Sequence, residues 1–108
     1  MWLETEDGRV ALSDWRVDLL QAVDRYGSLA EAARQLGVPY KTAWYKLKEI
    51  EAGLGVALLH SSSGGARHGS AMLTDAGRRA VALYQAIAEG IDGEVRSRFE
   101  AQFSEPLG

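Results

Sequence analysis

The spacing of apolar positions changes along this chain, and each change marks an element. Residues 2–12 alternate around Asp7-Gly8. Asp-Gly between alternating segments signals a tight hairpin turn, so a short two-stranded ribbon is predicted. From about Asp14 to Tyr26 the spacing turns helical, with Trp15, Leu19, Ala22, Val23 and Tyr26 on one stripe. Ser13 stands as its N-cap and Gly27 as its stop. A second helix opens at Ser28, where Ser28 and Glu31 have the capping-box spacing that satisfies two helix-end amides. Leu29, Ala32, Ala33 and Leu36 form its apolar face, and the small Ala pair admits a close neighbour. Gly37 then supplies the left-handed conformation of a sharp turn. A third helix runs from Pro39 to about Ala52, with proline at the first helical position, where an amide proton would go unpaired anyway. Ala43, Leu47, Ile50 and then Leu54 lie on its buried side. Lys41, Tyr45 and Lys48 point the opposite way, with Tyr40 and Trp44 at the edges.

Val56 to His60 reads as a strand, residues 61–70 as a small-residue loop, and Ala71 to Leu73 as the returning strand. Thr74 caps a last helix, with Asp75 favourable in its first turn, that extends to about Gln102. Ala76, Ala80, Leu83 and Ile87 make one stripe on it. Val81, Tyr84, Ala88, Ile91 and Val95 make a second at heptad spacing, read as a dimerisation seam because so small a chain offers it no internal partner. Gly90 and Gly93 weaken this helix and are candidates for a kink or an early end. The fold class is therefore mainly α: a winged helix-turn-helix with an N-terminal β-hairpin, a β wing over about 56–73 and a long C-terminal helix. One domain is expected over residues 1–103, with 104–108 a tail.

Composition changes this picture little, but charge distribution does. The overall net charge of −3 argues mildly against a nucleic-acid partner. Residues 34–79, however, carry seven Lys or Arg against three acids, an excess of +4, whereas residues 1–33 sum to −4 and residues 80–108 to −3. The positive charge thus falls on the two turn-linked helices and the wing, where phosphate contacts are needed. Cysteine is absent, which excludes disulfides and thiolate metal sites. No apolar run reaches membrane-spanning length, and the first residues lack a signal-peptide pattern, so a cytoplasmic protein is expected.

Helix 39–52 is read as a recognition helix lying in a DNA major groove. Lys41 and Lys48 suit phosphates or guanine edges, and Tyr40, Thr42 and Tyr45 can hydrogen-bond phosphates or bases. Trp44 can pack on a sugar or a thymine methyl; Tyr40 and Trp44 could equally be half-buried core. The amides at Ser28 could hold a phosphate or merely be capped, and Arg67 and His68 of the wing could reach an adjacent groove or belong to a plain connector. The Gly-rich loop lacks the GK[ST] ending of a nucleotide cradle, and two histidines without a clear carboxylate partner make a poor metal site. No enzyme, cofactor or metal is expected. Double-stranded DNA and a second copy of the chain are the expected partners; the competing reading is a protein-interaction module that keeps the fold without reading DNA.

Gly27 to Leu36, "PYKTAW" at Pro39 to Trp44, "SSGGARHGSAMLT" at Ser62 to Thr74 and the following Gly77 resemble the N-terminal DNA-binding domain of the ModE family of molybdate-responsive regulators. "GSLAEAARQLGV", "EAGLGVALL" and "LTDAG" are more distantly similar to the LysR-type winged helix-turn-helix. The resemblance implies dimerisation through the first and last helices, with Tyr40, Lys41, Thr42 and Trp44 opening the recognition helix and Arg67 in the wing. The wing departs from the family in carrying Arg67-His68-Gly69-Ser70 where relatives often have a nearly pure glycine run. The chain ends at Gly108, short of the molybdate-binding domains of full-length members. It either stands alone without them or is part of a longer protein, and molybdate is not expected to bind this chain itself.

Overall fold

A computed structural model describes residues 1–4, 6–8, 10–62 and 70–103. Strands β1 (Trp2–Glu4) and β2 (Val10–Ser13) pair antiparallel, with Leu3 opposite Leu12 and an irregularity between Leu3 and Glu4. Helix α1 (Asp14–Tyr26) follows at once, its first turn capped by Ser13, whose hydroxyl oxygen accepts from the Arg16 amide at 3.3 Å. Its buried side is Val17, Leu19, Leu20, Ala22 and Val23. This corrects the expected stripe in two ways: Trp15 only flanks the core and Tyr26 is exposed, while Val17 and Leu20 outside the stripe are buried because α1 is packed by several elements and not by one neighbour.

Helix α2 (Leu29–Gln35) is short, and Ser28 caps it by accepting from the Glu31 amide at 3.0 Å. Only half of the expected capping box forms. The Glu31 carboxylate turns outward to Arg34 and Gln35 instead of back to the Ser28 amide. Those bonds, Arg34 first and Gln35 second, hold the Glu31 carboxyl below the usual carboxylate range, and Glu31 raises the Arg34 guanidinium in return. Gly37, at φ +71°, makes the turn. Helix α3 (Tyr40–Leu54) begins one residue later than expected, with Pro39 as extended N-cap, and runs on to Gly55. Ala32, Ala33 and Ala43 are all essentially inaccessible, so α1, α2 and α3 meet through methyl groups.

The wing strands are β3 (Leu59–Ser62) and β4 (Ser70–Leu73), antiparallel with Leu59 opposite Leu73 and Ser61 opposite Ala71. β3 starts three residues beyond the expected position. Val56 is exposed outside it, while the fully buried Leu58 enters the core just before it. The β4 edge is fixed by the Ala71 amide, which donates to the Gly27 carbonyl at 2.8 Å. Helix α4 (Asp75–Gln102) is capped by Thr74 and passes through Gly90 and Gly93 without interruption. Its 28 residues span about 42 Å at 1.5 Å per residue. Its first four turns pack on the domain: Gly77, Val81 and Tyr84 are buried, Ala88 packs at the edge, and every residue from Glu89 to Phe103 is exposed.

Beside the Arg78–Asp24 ion pair, two further contacts help to fasten α4. The Tyr84 hydroxyl donates to the Asp14 carboxylate and lies 2.7 Å from the Met1 carbonyl, joining α4 to α1 and to the hairpin. Gly77 packs against the Leu58 carbonyl, where an added Cβ would lie 2.5 Å from the oxygen. Gly77→Ala is therefore expected to lower stability by about 1–3 kcal/mol through overpacking, more than the ~1 kcal/mol of helix preference gained. Gly93→Ala, whose added Cβ meets nothing within 4 Å, is expected to raise stability; thermal denaturation of the two variants checks both signs.

Burial, with the Asp14 hydrogen bond second, pushes the Tyr84 phenol up to about 12. The folded protein therefore keeps a proton that the unfolded chain releases near pH 10. This contribution is complete below pH 10 and is lost between about 10 and 12. The same hydrogen bond, with the Met1 amino group second, holds the Asp14 carboxyl low, so its contribution is present at neutral pH and fades as pH falls through that lowered value. Tyr84→Phe is expected to flatten the alkaline part of the stability profile and remove the latest tyrosine step in an ultraviolet titration.

Candidate nucleic-acid interface

The outer surface of α3 is built by its own period. Ala43, Leu47 and Ile50 face the core, which leaves Tyr40, Lys41, Trp44, Tyr45 and Lys48 outside. Tyr40 is 54% exposed, Trp44 40% and Tyr45 52%, so these rings are surface groups and not core. Trp44 and Tyr45 stand edge to face, ring centres 5.2 Å apart and planes at 81°. The Lys41 ammonium sits 5.9 Å from the Tyr45 ring centre and that of Lys48 5.5 Å from the Trp44 ring centre. Each exposed cation–ring pair is worth about 0.5–1 kcal/mol, enough to bias a long side chain over its ring.

The two lysines differ in a way their spacing alone conceals. Lys48 also donates to Glu51 at 3.3 Å. Among the described residues no carboxylate pairs with Lys41. Lys46, on the flank, lies 3.6 Å from Glu49. Arg34 is paired with Glu31 within α2, and Arg78 with Asp24 and Asp75. Arg34 and Arg78 thus draw in carboxylates from outside or at the edge of the basic segment. The positive excess at the surface is narrower than the residue count: among the described residues Lys41 on α3 and Arg79 on α4 keep no carboxylate partner.

Two concavities join these side chains to their neighbours. A cleft of about 290 Å³ lies between the start of α2 (Leu29, Ala30), the rim of α3 (Tyr40, Trp44, Lys48, Glu51) and the wing (Leu59, Ser61, Ser70, Ala71). A notch of about 190 Å³ lies on α3 itself, bounded by Tyr40, Lys41, Trp44 and Tyr45. The structure therefore brings Tyr40, Lys41, Trp44, Tyr45 and Lys48 onto one surface continuous with α2 and the wing. Thr42 is exposed but lines neither concavity. Ser28 is half-buried, its hydroxyl oxygen occupied by the Glu31 amide, so it serves as a cap. Arg67 and His68 lie outside the described residues.

Glu51 and Arg16 position this surface, and the sequence reading singled out neither. One Glu51 oxygen takes Lys48 and the other accepts the Leu58 amide at 2.8 Å, tying α3 to the root of the wing. Arg16 donates to the Val10 carbonyl and, at 2.9 Å, to Glu49, joining the hairpin to the outer side of α3. The i,i+3 spacing of Lys48 and Glu51 was a legible signal; the bond to Leu58 crosses a turn and had none. Among the described residues no cluster of three or more His, Asp or Glu could hold a metal ion. Among them, too, no helix is long and apolar enough to cross a membrane.

The expected seam residues on α4 divide. Val81 and Tyr84 are buried against their own domain and Ala88 packs at its edge. Ile91 and Val95 are exposed, and beyond them Phe99 and Phe103 form an exposed ring pair at 4.7 Å. The free apolar stripe therefore starts later, and runs further, than heptad spacing indicated, because the domain itself covers the first two seam positions.

The family model of bacterial regulatory helix-turn-helix proteins of the lysR family matches residues 16–78, which takes in α1, α2, α3 and the wing. The molybdenum transport protein ModE of Azotobacter vinelandii is 40% identical over 87 residues, covering 81% of this chain and 32% of that protein. The DNA-binding transcriptional dual regulator ModE of Escherichia coli K12 is 32% identical over 74 residues, 68% of this chain and 28% of that one. The chain spans about a third of the length of these relatives. Among solved structures, the DNA-binding domain of CbnR in complex with DNA superposes with a TM-score of 0.62 at 28% identity, covering 84% of this chain and 98% of that domain. By fold, by sequence and by the extent of the match, the chain belongs to the lysR family of bacterial regulatory helix-turn-helix proteins.

Proposed function

We propose that this chain is the double-stranded-DNA-binding part of a transcriptional regulator, acting in the cytoplasm as a homodimer and catalysing no reaction. The observation that carries the reading is the α3 surface. An exposed row of Tyr40, Lys41, Trp44, Tyr45 and Lys48 faces away from the core and is flanked by the wing on one continuous surface. A helix of this width enters a major groove, its lysines neutralising phosphates and its rings meeting base edges. The CbnR domain of the same fold is seen on DNA, and the Escherichia coli relative is named for DNA binding and transcriptional regulation. Both support the reading by likeness.

The dimer follows from the α4 arm. Ile91, Val95, Phe99 and Phe103 are exposed on a helix that leaves the domain, so a second copy is the proposed cover. Residues through 103 form one working unit in this reading. Two copies joined there would present their α3 helices to successive major grooves about 34 Å apart. No molybdate site is placed on this chain.

Lys41→Ala is expected to weaken DNA binding at least threefold near 100 mM salt and to lower the slope of log affinity against log salt by about one. Lys48→Ala is expected to do less, because Glu51 already offsets that charge; fluorescence anisotropy across a salt series, with duplex selected from a random pool, separates the two. No effect from either would remove the assignment of α3; equal losses would remove only the offset by Glu51. Val95→Asp is expected to convert the dimer to a monomer by light scattering and to weaken binding to a two-half-site duplex more than to a single half-site.

A further inference from the structure

The α3 notch has a chemistry that phosphate binding does not require. Three aromatic residues, Tyr40, Trp44 and Tyr45, together with Lys41 bound its 190 Å³. Trp44 and Tyr45 brace one another edge to face, so two of the walls are set before any ligand arrives. The surface that lines the notch is mostly apolar, with the phenol hydroxyls and the ammonium as its few polar groups, so a phosphate or a polar base edge seated there would give up more water contacts than it regains, whereas an apolar group would not. The major groove displays one apolar group, the 5-methyl of thymine. The Lys41 ammonium, with no carboxylate partner among the described residues, stands beside the notch and can meet the backbone or a neighbouring guanine edge while the methyl is seated.

We propose that the notch formed by Tyr40, Lys41, Trp44 and Tyr45 is a thymine-methyl pocket, and that it makes a thymine in each half-site a determinant of sequence preference. This rests on α3 being the recognition helix. The rings supply contact area and desolvation, and Lys41 supplies the attraction that brings a polyanion to an otherwise apolar surface.

Uracil tests the pocket, because it differs from thymine by that methyl alone and keeps the same Watson–Crick edge. A duplex selected by the protein from a random pool is made with thymine or with uracil, and then with uracil at single positions. Burying one methyl is worth about 0.8 kcal/mol, so about a fourfold loss of affinity is expected at one thymine position per half-site and little at the others. Tyr45→Ala, at a half-exposed position, is expected to weaken binding to the thymine duplex and to bring the thymine-to-uracil ratio close to one. An effect of uracil through duplex shape would persist in that variant and would overturn the pocket. So would equal affinity of the unaltered protein for both duplexes, while leaving DNA binding in place. Failure to bind either duplex would remove the recognition-helix reading itself, and the pocket with it.

Discussion

The peptide groups of Leu58 are satisfied from opposite sides. Glu51 of α3 takes its amide proton, and the Thr74 amide at the head of α4 donates to its carbonyl at 2.9 Å. Its side chain is fully buried, and Gly77 of α4 sits against its carbonyl oxygen with no room for a Cβ. A buried peptide group without partners costs about 1–3 kcal/mol, so this residue has few other places to go. Because it is held, the wing leaves the domain at a fixed point, α4 starts at a fixed point, and both are referred to the end of α3. The Ala71 bond to the Gly27 carbonyl then pins the returning strand to the turn between α1 and α2. The relation between α3 and the wing, on which any groove-reading depends, is a consequence of these few bonds.

Small side chains complete the frame. Ala32, Ala33 and Ala43 let α1, α2 and α3 approach closely, and the Arg16 guanidinium bridges the hairpin to the outer flank of α3 through Glu49. The result is a rigid α3 presented by a compact domain, and a long α4 that leaves it. Tyr84 and Val81 mark where α4 stops belonging to the domain; Ile91, Val95 and the two phenylalanines mark where it becomes available to another chain. The two halves of one helix therefore have different surroundings, set by how far the small core reaches.

Much of the candidate site was legible in the sequence because helical period is local. The exposure of Lys41, Tyr45 and Lys48 followed from the burial of Ala43, Leu47 and Ile50. The caps at Ser13, Ser28 and Thr74 followed from side-chain chemistry one turn away. The placement of Tyr40 and Trp44 did not, since a residue at the edge of a stripe is covered or open according to what packs beside it. The unequal freedom of the two lysines was half legible: Glu51 lies one turn from Lys48, but the bond that holds Glu51 in place depends on the turn that brings Leu58 back to it. The capping box at Ser28 was half right, because Arg34 and Gln35 compete for the Glu31 carboxylate.

By itself the sequence determined the order and type of the elements, the turn at Gly37 and the outward face of α3, all of which depend on residues within a turn or two of each other. The tertiary structure decided what depends on distant segments meeting. It shifted β3 to follow Leu58, buried Val17 and Leu20 of α1, covered the first two positions of the α4 stripe and set the wing beside α3 to form the cleft between them. The physical reason is that a period fixes which direction a side chain points from its own helix. Whether another element stands in that direction is settled only by packing, where each buried group must find both volume and a partner.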